Sequence, residues 1–75
     1  MFIHEAVELS LKSGRHIRRR EWVAKNGWQE FRVLPTNDQD RCIPSLWEYG
    51  NEVSRLRNWN PSADDLIADD WQLAD

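Results

Sequence analysis

Cysteine is nearly absent from the sequence, and no other metal-binding cluster replaces it. Cys42 is the one cysteine among 75 residues, so an intrachain disulfide is excluded. No Cys/His cluster has the spacing of a structural zinc site. Because a chain this short buries only about 60–65% of the surface that its unfolded form exposes, self-association is the expected way to bury more apolar surface.

Long apolar stretches are also absent. No run of apolar residues is long enough to predict a transmembrane helix, so we expect no membrane partner. The first residues lack a basic segment followed by an apolar core, which predicts that there is no signal peptide. With a single free thiol, the sequence favours a cytoplasmic location.

Tryptophan, in contrast, is abundant, with five among 75 residues. An indole offers a large apolar surface, a face for stacking and one N–H donor. The charges are segregated although the net charge is only −3: seven basic residues lie between Lys12 and Arg32, and five aspartates without a base lie between Asn58 and Asp75. This asymmetry suits an anionic ligand, a contact between subunits or internal charge balance.

The hydrophobic pattern predicts an α+β fold that opens with a helix over residues 3–13. Its apolar residues recur at helical spacing, at Ile3, Ala6, Val7 and Leu11. Gly14 suits the position after its last turn. Alternating residues predict strands over residues 16–22, 28–34, 41–46 and 52–59. Asn26-Gly27 indicates a hairpin between the first two strands, and Pro44 indicates an edge or a bulge in the third.

The C-terminal part predicts a short helix followed by a final strand. Ser62 is a favourable N-cap for a helix over residues 63–68, and Asp65 stands where a capping-box carboxylate belongs. Residues 71–74 alternate as a strand. We therefore expect a single domain, residues 1–75, in which an N-terminal helix packs on a small antiparallel sheet beside a short C-terminal helix and a final strand.

The same C-terminal segment has tryptophan, proline and aspartate at distinctive spacing. These residues are Trp59, Pro61, Ser62, Asp65, Leu66, Ala68, Asp70 and Trp71. The segment resembles the signature of the Thoeris anti-defence type two family, small proteins of phages and prophages, in which a tryptophan is followed by Pro-Ser/Thr, then by Asp-Leu-Leu-Ala and Asp-Trp at fixed spacing; Ile67 stands here in place of a leucine. The resemblance implies that the cytoplasm in question is that of an infected bacterial host cell. The N-terminal half is similar to the family as well, at Glu5-Ala6, Lys12-Ser13-Gly14, Ile17, Trp22 and Val33-Leu34-Pro35-Thr36-Asn37.

The resemblance implies a non-catalytic sponge. Such proteins bind cyclic ADP-ribose-type or cyclic oligonucleotide messengers and hold them without cleavage, so that the defence effector is not activated. It also implies a homo-oligomer, a dimer or a tetramer, and we expect the ligand pocket to lie between subunits. No cofactor, catalytic residue or metal ion belongs to this interpretation.

Seven residues are candidates for ligand contact. Trp22 can stack on a purine while Arg18 and Arg20, which share a face if they lie on a strand, hold phosphates. Tryptophan also commonly packs in a protein core, so Trp22 can be either a ligand-stacking residue or a core residue. The remaining candidates, each with a turn-forming or packing role as its alternative, are Thr36, Asn37, Trp59 and Asn60.

Other functions have weaker support in the sequence. The acidic balance and the alternation of Arg18, Arg19 and Arg20 argue against a nucleic acid polymer as partner. The C-terminal aspartates lack the spacing of a calcium loop. The histidines and Cys42 form no pattern of a nucleophile with its base. A protein-binding module, with exposed tryptophans and arginines as hot spots against a host protein, is the alternative to the sponge.

Overall fold

The computed structural model describes residues 1–74 and has an α+β fold, as predicted. An N-terminal helix packs on an antiparallel sheet of five strands whose order is β4-β3-β2-β1-β5. No helix among these residues has the length and apolar character needed to cross a bilayer. The elements are α1 (Ile3–Ser13), β1 (Ile17–Arg19), 3-10 turns at Arg20–Trp22 and Lys25–Gly27, β2 (Gln29–Leu34), β3 (Ile43–Glu48), β4 (Asn51–Arg55), α2 (Ala63–Ile67) and β5 (Trp71–Leu73).

The core lies between α1 and one face of the sheet. Ala6 of α1, Ile17 of β1, Val33 of β2 and Trp71 of β5 form its fully buried part. Ile17 stands directly opposite both Val33 and Leu73, so these side chains share a face. We call this face of the sheet the core face, and the other the outer face.

Helix α1 buries part of the apolar face that its sequence forms. Ala6 is buried and Ile3 and Val7 are partly buried, whereas Leu11, at the same helical spacing, is exposed and Ser10 is buried instead. Burial of Ser10 is possible because its hydroxyl donates a hydrogen bond to the carbonyl of Arg15. The helix ends as predicted, since Gly14 takes a left-handed conformation and its N–H donates to the carbonyl of Ser10 at 2.7 Å.

Two predicted strands are shorter in the structure. The segment 16–22 leaves the sheet after Arg19. The Arg20 N–H makes the last bond of the ladder with β5, to the carbonyl of Asp70 at 3.1 Å, and residues 20–22 then form a 3-10 turn that the Val23 N–H closes on the carbonyl of Arg20 at 3.3 Å. The segment 52–59 leaves it after Arg55. There the Leu56 N–H still bonds to the carbonyl of Pro44, and the Trp59 N–H bonds to the carbonyl of Cys42 at 2.8 Å.

Pro44 does not mark an edge strand, because β3 lies between β2 and β4. Pro44 stands opposite Val33 on β2. Its carbonyl points away from β2, toward the β4 side, and accepts the N–H of Leu56, directly after β4, at 2.9 Å. Because β4 ends one residue earlier, at Arg55, the missing N–H of proline breaks no bond within the ladder. The bulge lies instead between Leu46 and Trp47.

The capping box of α2 is confirmed. The Ser62 hydroxyl accepts a hydrogen bond from the Asp65 N–H at 3.2 Å, and the Asp65 carboxylate accepts one from the Ser62 N–H at 3.0 Å. The carbonyl of Asp65 in turn accepts the indole N–H of Trp71 at 2.8 Å. The cap therefore fixes both the start of α2 and the position of the buried indole.

Loss of this cap has a predictable cost. We expect Ser62→Ala to lower the free energy of unfolding by about 1 kcal/mol, because the Asp65 N–H at the start of α2 loses its side-chain partner. The matched control is Ser54→Ala, at an exposed serine of β4, which we expect to change it by less than about 0.5 kcal/mol. Urea denaturation followed by circular dichroism measures both, and equal effects would contradict the role of the cap.

Candidate functional site

Three of the five tryptophans meet in an aromatic cluster on the core face. We define the indole cluster as Trp22, Phe31, Trp59 and Trp71. The Trp22 ring lies 5.0 Å from Phe31, 6.0 Å from Trp59 and 5.0 Å from Trp71, centroid to centroid, and Trp59 lies 5.7 Å from Trp71. All four contacts are edge-to-face, the geometry that aromatic quadrupoles favour.

The indole cluster runs from the core to the surface. Trp71 is 1% exposed, whereas Trp22 and Trp59 are only half-buried. The 3-10 turn over residues 20–22 directs Trp22 back across the sheet, and the bond to Cys42 holds Trp59 against the start of β3. Both interpretations of Trp22 therefore apply to different parts of one side chain, since part of it packs on three aromatic rings and part faces solvent.

Three of the polar candidates are exposed in three different loops. Arg20 is exposed in the same turn as Trp22, and Asn60 is exposed directly after Trp59. Asn37 is exposed in the loop after β2. That loop reaches the Trp59 segment through Asp40, whose carbonyl accepts the Asn58 N–H at 3.2 Å.

Thr36 has a turn-forming role, which was the alternative to ligand contact for this residue. Its hydroxyl donates to the carbonyl of Arg41 and accepts the Asp38 N–H at 3.1 Å. These bonds close the loop that presents Asn37. Of the two loop candidates, Asn37 has the more exposed side chain.

Arg18 lies apart from the other candidates. The prediction that Arg18 and Arg20 share a strand face is wrong, because β1 ends at Arg19 and Arg20 belongs to the 3-10 turn. Arg18 stands opposite Gln72, on the outer face of the sheet, and donates to the Gln72 side-chain oxygen at 3.0 Å. The structure therefore separates it from the indole cluster by the thickness of the sheet.

Arg19, which lies between Arg18 and Arg20 in the sequence, forms ion pairs with three carboxylates, and the sequence pattern did not predict this cluster. Its guanidinium lies 2.7 Å from Glu21, 3.1 Å from Asp65 and 2.9 Å from Asp70. The hydrogen bond from Arg19 holds the pKa of Asp70 below its ordinary value, and the bond to Asp70 raises the pKa of Arg19. Burial opposes ionisation of Asp65, but hydrogen bonds from Ser62 and Arg19 outweigh it and lower the pKa of Asp65.

The Arg19 cluster predicts a loss of stability in acid. A carboxyl group with a lower pKa in the folded state than in the unfolded state stabilises the fold above the unfolded pKa, 3.8 for Asp65 and Asp70, and loses this effect as pH falls through the folded pKa. We therefore expect the urea midpoint to fall between about pH 5 and pH 2. Arg19→Met should be less stable at neutral pH and show a shallower fall, whereas parallel curves for the two proteins would contradict this.

The outer face carries a charged network, which we define as Arg18, Glu30, Arg32 and Trp47. The Glu30 carboxylate bonds to both arginines, and the Arg32 guanidinium lies 4.0 Å from the centre of the Trp47 ring. Glu30 and Arg32 are buried, although both belong to the polar side of β2. Alternation along residues 28–34 had placed them on one face, but their burial depends on Trp47, which no local pattern links to them.

Neither face of the described chain encloses a ligand. Residues 1–74 form no pocket, and no three of their His, Cys, Asp or Glu side chains are grouped to hold a metal ion. In one chain the candidate residues therefore offer exposed or partly exposed side chains without a pocket: Trp22 and Trp59 are in contact with each other, and Arg20, Asn37 and Asn60 are exposed in the turn of Trp22, in the loop after β2 and directly after Trp59.

Comparison with known proteins gives one match. A family model described as the Thoeris anti-defense 2-like domain matches residues 1–74. Neither a curated protein nor a solved structure gives a match. The matched range includes every element of the fold, all four members of the indole cluster and each of the seven candidate residues.

Proposed function

Since the chain belongs to the Thoeris anti-defense 2-like family, we propose that it counters Thoeris defence by binding a cyclic nucleotide-type messenger and holding it without cleavage. The observation that carries the proposal is the match over residues 1–74, which includes the whole described fold. Within it, Trp22 and Trp59 are partly exposed, and an indole is a ring on which a base can stack.

The proposed site combines stacking with polar contacts. The base packs against Trp22 and Trp59, and the Arg20 guanidinium binds a phosphate. Asn37 and Asn60 donate to or accept from ribose hydroxyls and base edges. Thr36 acts by fixing the loop, since its hydroxyl already has two backbone partners.

A second copy of the chain completes this site in our proposal. Small-molecule sites are usually concave and bury most of the ligand, whereas one copy offers an open surface. A twofold oligomer would supply an opposite wall and give two sites per pair of subunits. In that arrangement Arg18, on the outer face, reaches a ligand only through a neighbouring subunit.

The mechanism needs no chemical step. A sponge lowers the free messenger concentration by mass action, so it must be more abundant than the messenger and release it slowly. Rigid aromatic walls favour slow release because little ordering accompanies binding. Trp22 and Trp59 have this rigidity, since each is held by edge-to-face contacts to other rings.

Thermal unfolding with added ligand tests the proposal. Cyclic ADP-ribose isomers and cyclic dinucleotides are each titrated into the purified protein. A ligand at 100 times its dissociation constant adds about 2.7 kcal/mol to the free energy of unfolding, which raises the Tm by roughly 10 °C or more in a domain of this size. The absence of a shift with every one of these ligands would overturn the proposal and favour the protein-binding alternative.

Substitution of the two asparagines maps the site. We expect Asn60→Ala and Asn37→Ala each to weaken binding by about tenfold, because one or two hydrogen bonds to the ligand are lost. Both side chains are exposed, so the free energy of unfolding should change by less than about 0.5 kcal/mol. The matched control is Asn51→Ala, at an exposed asparagine of β4. Isothermal titration calorimetry that shows unchanged affinity for both site variants would place the ligand elsewhere.

A further inference from the structure

Strand β4 forms one end of the sheet, and its outer side faces away from β3. The Leu56 N–H points inward, to the carbonyl of Pro44, so the peptide groups of the preceding Arg55 point outward. Glu48 and Asn51 close a two-residue turn, so the peptide groups of Glu52 also point outward. An edge with outward backbone groups is a template for pairing with another strand.

The opposite end of the sheet differs, because Met1 occupies the outer side of β5. The Trp71 N–H donates to the carbonyl of Met1 at 3.1 Å, and the Met1 amino group donates to the carbonyl of Trp71 at 3.1 Å. Strand β5 is thus covered on both sides: Trp71 bonds outward to Met1, and Asp70 and Ala74 on either side of it bond to Arg20 and His16 at the two ends of β1. Strand β4 is the edge that is open to a partner.

Large apolar side chains are exposed along β4 and its flanking turns. Val53 is 52% exposed, Leu56 is 61% exposed and Tyr49 is 78% exposed. The positive φ of Tyr49 and Gly50, +51° and +80°, belongs to the two-residue turn between β3 and β4. Isolated exposed side chains are common, but three large apolar ones along one open edge indicate an interface.

The charges of β4 are complementary to themselves. The register shift in β4 adds one residue, so Glu52 and Arg55, three apart, stand on the same face. The Arg55 guanidinium bonds to both carboxylate oxygens of Glu52, at 2.7 and 3.0 Å. A twofold axis between Val53 and Ser54 would place Glu52 opposite the partner's Arg55, and Arg55 opposite the partner's Glu52.

We propose that β4 pairs antiparallel with β4 of a second copy of this chain, about this twofold axis. The outward peptide groups of Glu52 then meet those of the partner's Arg55, and two such contacts join the two five-strand sheets. The same register brings Asn58 opposite the partner's Tyr49, next to the segment that holds Trp59. The interface rests on the edge, its apolar residues and its charges, and it holds whether or not the chain binds a nucleotide.

A mixing experiment with charge-reversed variants tests this interface. Arg55→Glu gives an edge with two negative charges, and Glu52→Arg gives an edge with two positive charges. We expect each variant alone to have a dissociation constant for self-association at least tenfold above that of the natural chain, by sedimentation velocity. Mixed in equal amounts, the two should form heterodimers, which native mass spectrometry resolves by mass. Within each variant the ion pair of the strand is lost, so restored association requires contact between chains.

Two controls keep the outcome unambiguous. Lys25→Glu reverses an exposed charge outside β4 and should leave association unchanged. Circular dichroism should show that both β4 variants are folded, because these side chains lie at the edge. A monomeric natural chain, unchanged association of the single variants, or a mixture without heterodimers would overturn the interface. Loss of nucleotide binding with an intact dimer would instead count against the sponge alone.

Discussion

Replacement of Trp71 by alanine is expected to lower the free energy of unfolding by about 4 kcal/mol. Trp71 is 1% exposed, contacts Trp22 and Trp59 edge-to-face, and donates its indole N–H to the carbonyl of Asp65. The substitution removes these contacts and leaves a cavity in a core that has few other large residues. A chain of 75 residues has a total stability of roughly 4–11 kcal/mol, so this substitution should remove between about a third and all of it.

The matched control is Trp28→Ala. Trp28 lies before β2, is 43% exposed and is outside the indole cluster, so its loss should cost less than about 1 kcal/mol. Urea denaturation of the natural chain and both variants, followed by tryptophan fluorescence and circular dichroism, gives the two differences. Similar losses for Trp71→Ala and Trp28→Ala would contradict the assignment of the indole cluster to the core.

The indole cluster also determines how binding variants are interpreted. Trp22→Ala removes contacts to Phe31, Trp59 and Trp71 in addition to any ligand contact, so lost binding alone does not identify a stacking role. Trp22→Phe keeps an aromatic ring in the cluster and reduces the exposed surface. Ligand affinity measured for Trp22→Phe, at a temperature where it is fully folded, separates the two contributions.

The second large effect is expected at Glu30. Glu30→Gln should lower the free energy of unfolding by about 3 kcal/mol, because the guanidinium groups of Arg18 and Arg32 then face each other without the buried carboxylate between them. The side-chain volume is almost unchanged, so packing contributes little. Chemical denaturation at neutral pH measures the effect.

A rescue variant and a control make this prediction specific. Glu30→Gln combined with Arg32→Met removes one of the two facing cations and keeps an unbranched side chain over Trp47, so we expect part of the loss to be recovered. Glu8→Gln, at an exposed position of α1, should change stability by less than about 0.5 kcal/mol. If the double variant were less stable than Glu30→Gln, electrostatic repulsion would not be the cause.

The parts of the fold that depend on local chemistry were predictable from the sequence. The capping box of Ser62 and Asp65 and the left-handed Gly14 involve residues within four positions of one another. The end of β1 was not predictable in this way. It coincides with the end of the partner strand β5, where the ladder stops at the bond from the Arg20 N–H to the carbonyl of Asp70, fifty residues later in the sequence. The exposed Leu11 likewise follows from how α1 sits on the sheet, although helical periodicity alone placed it on the apolar face.

The candidate site was predictable only in its components. Residue type identified Trp22, Trp59 and the exposed asparagines, but the 6.0 Å contact between the two indoles depends on how the chain returns after β4. Arg18 was assigned to the same group because it would share a face with Arg20 on a longer strand, but it alternates with the buried Ile17 and therefore lies on the outer face. The burial of Glu30 and Arg32 requires Trp47 from the neighbouring strand, and no motif signals it.

Recovery of the ligand tests the central claim most directly. The natural chain is incubated with a cyclic ADP-ribose isomer or a cyclic oligonucleotide, separated from free ligand by gel filtration and denatured by heat, and the supernatant is analysed by mass spectrometry. Our account predicts that the ligand stays with the protein through gel filtration and is released with unchanged mass, near one equivalent per site. Retention of none of these ligands, or release of a cleaved product, would contradict it.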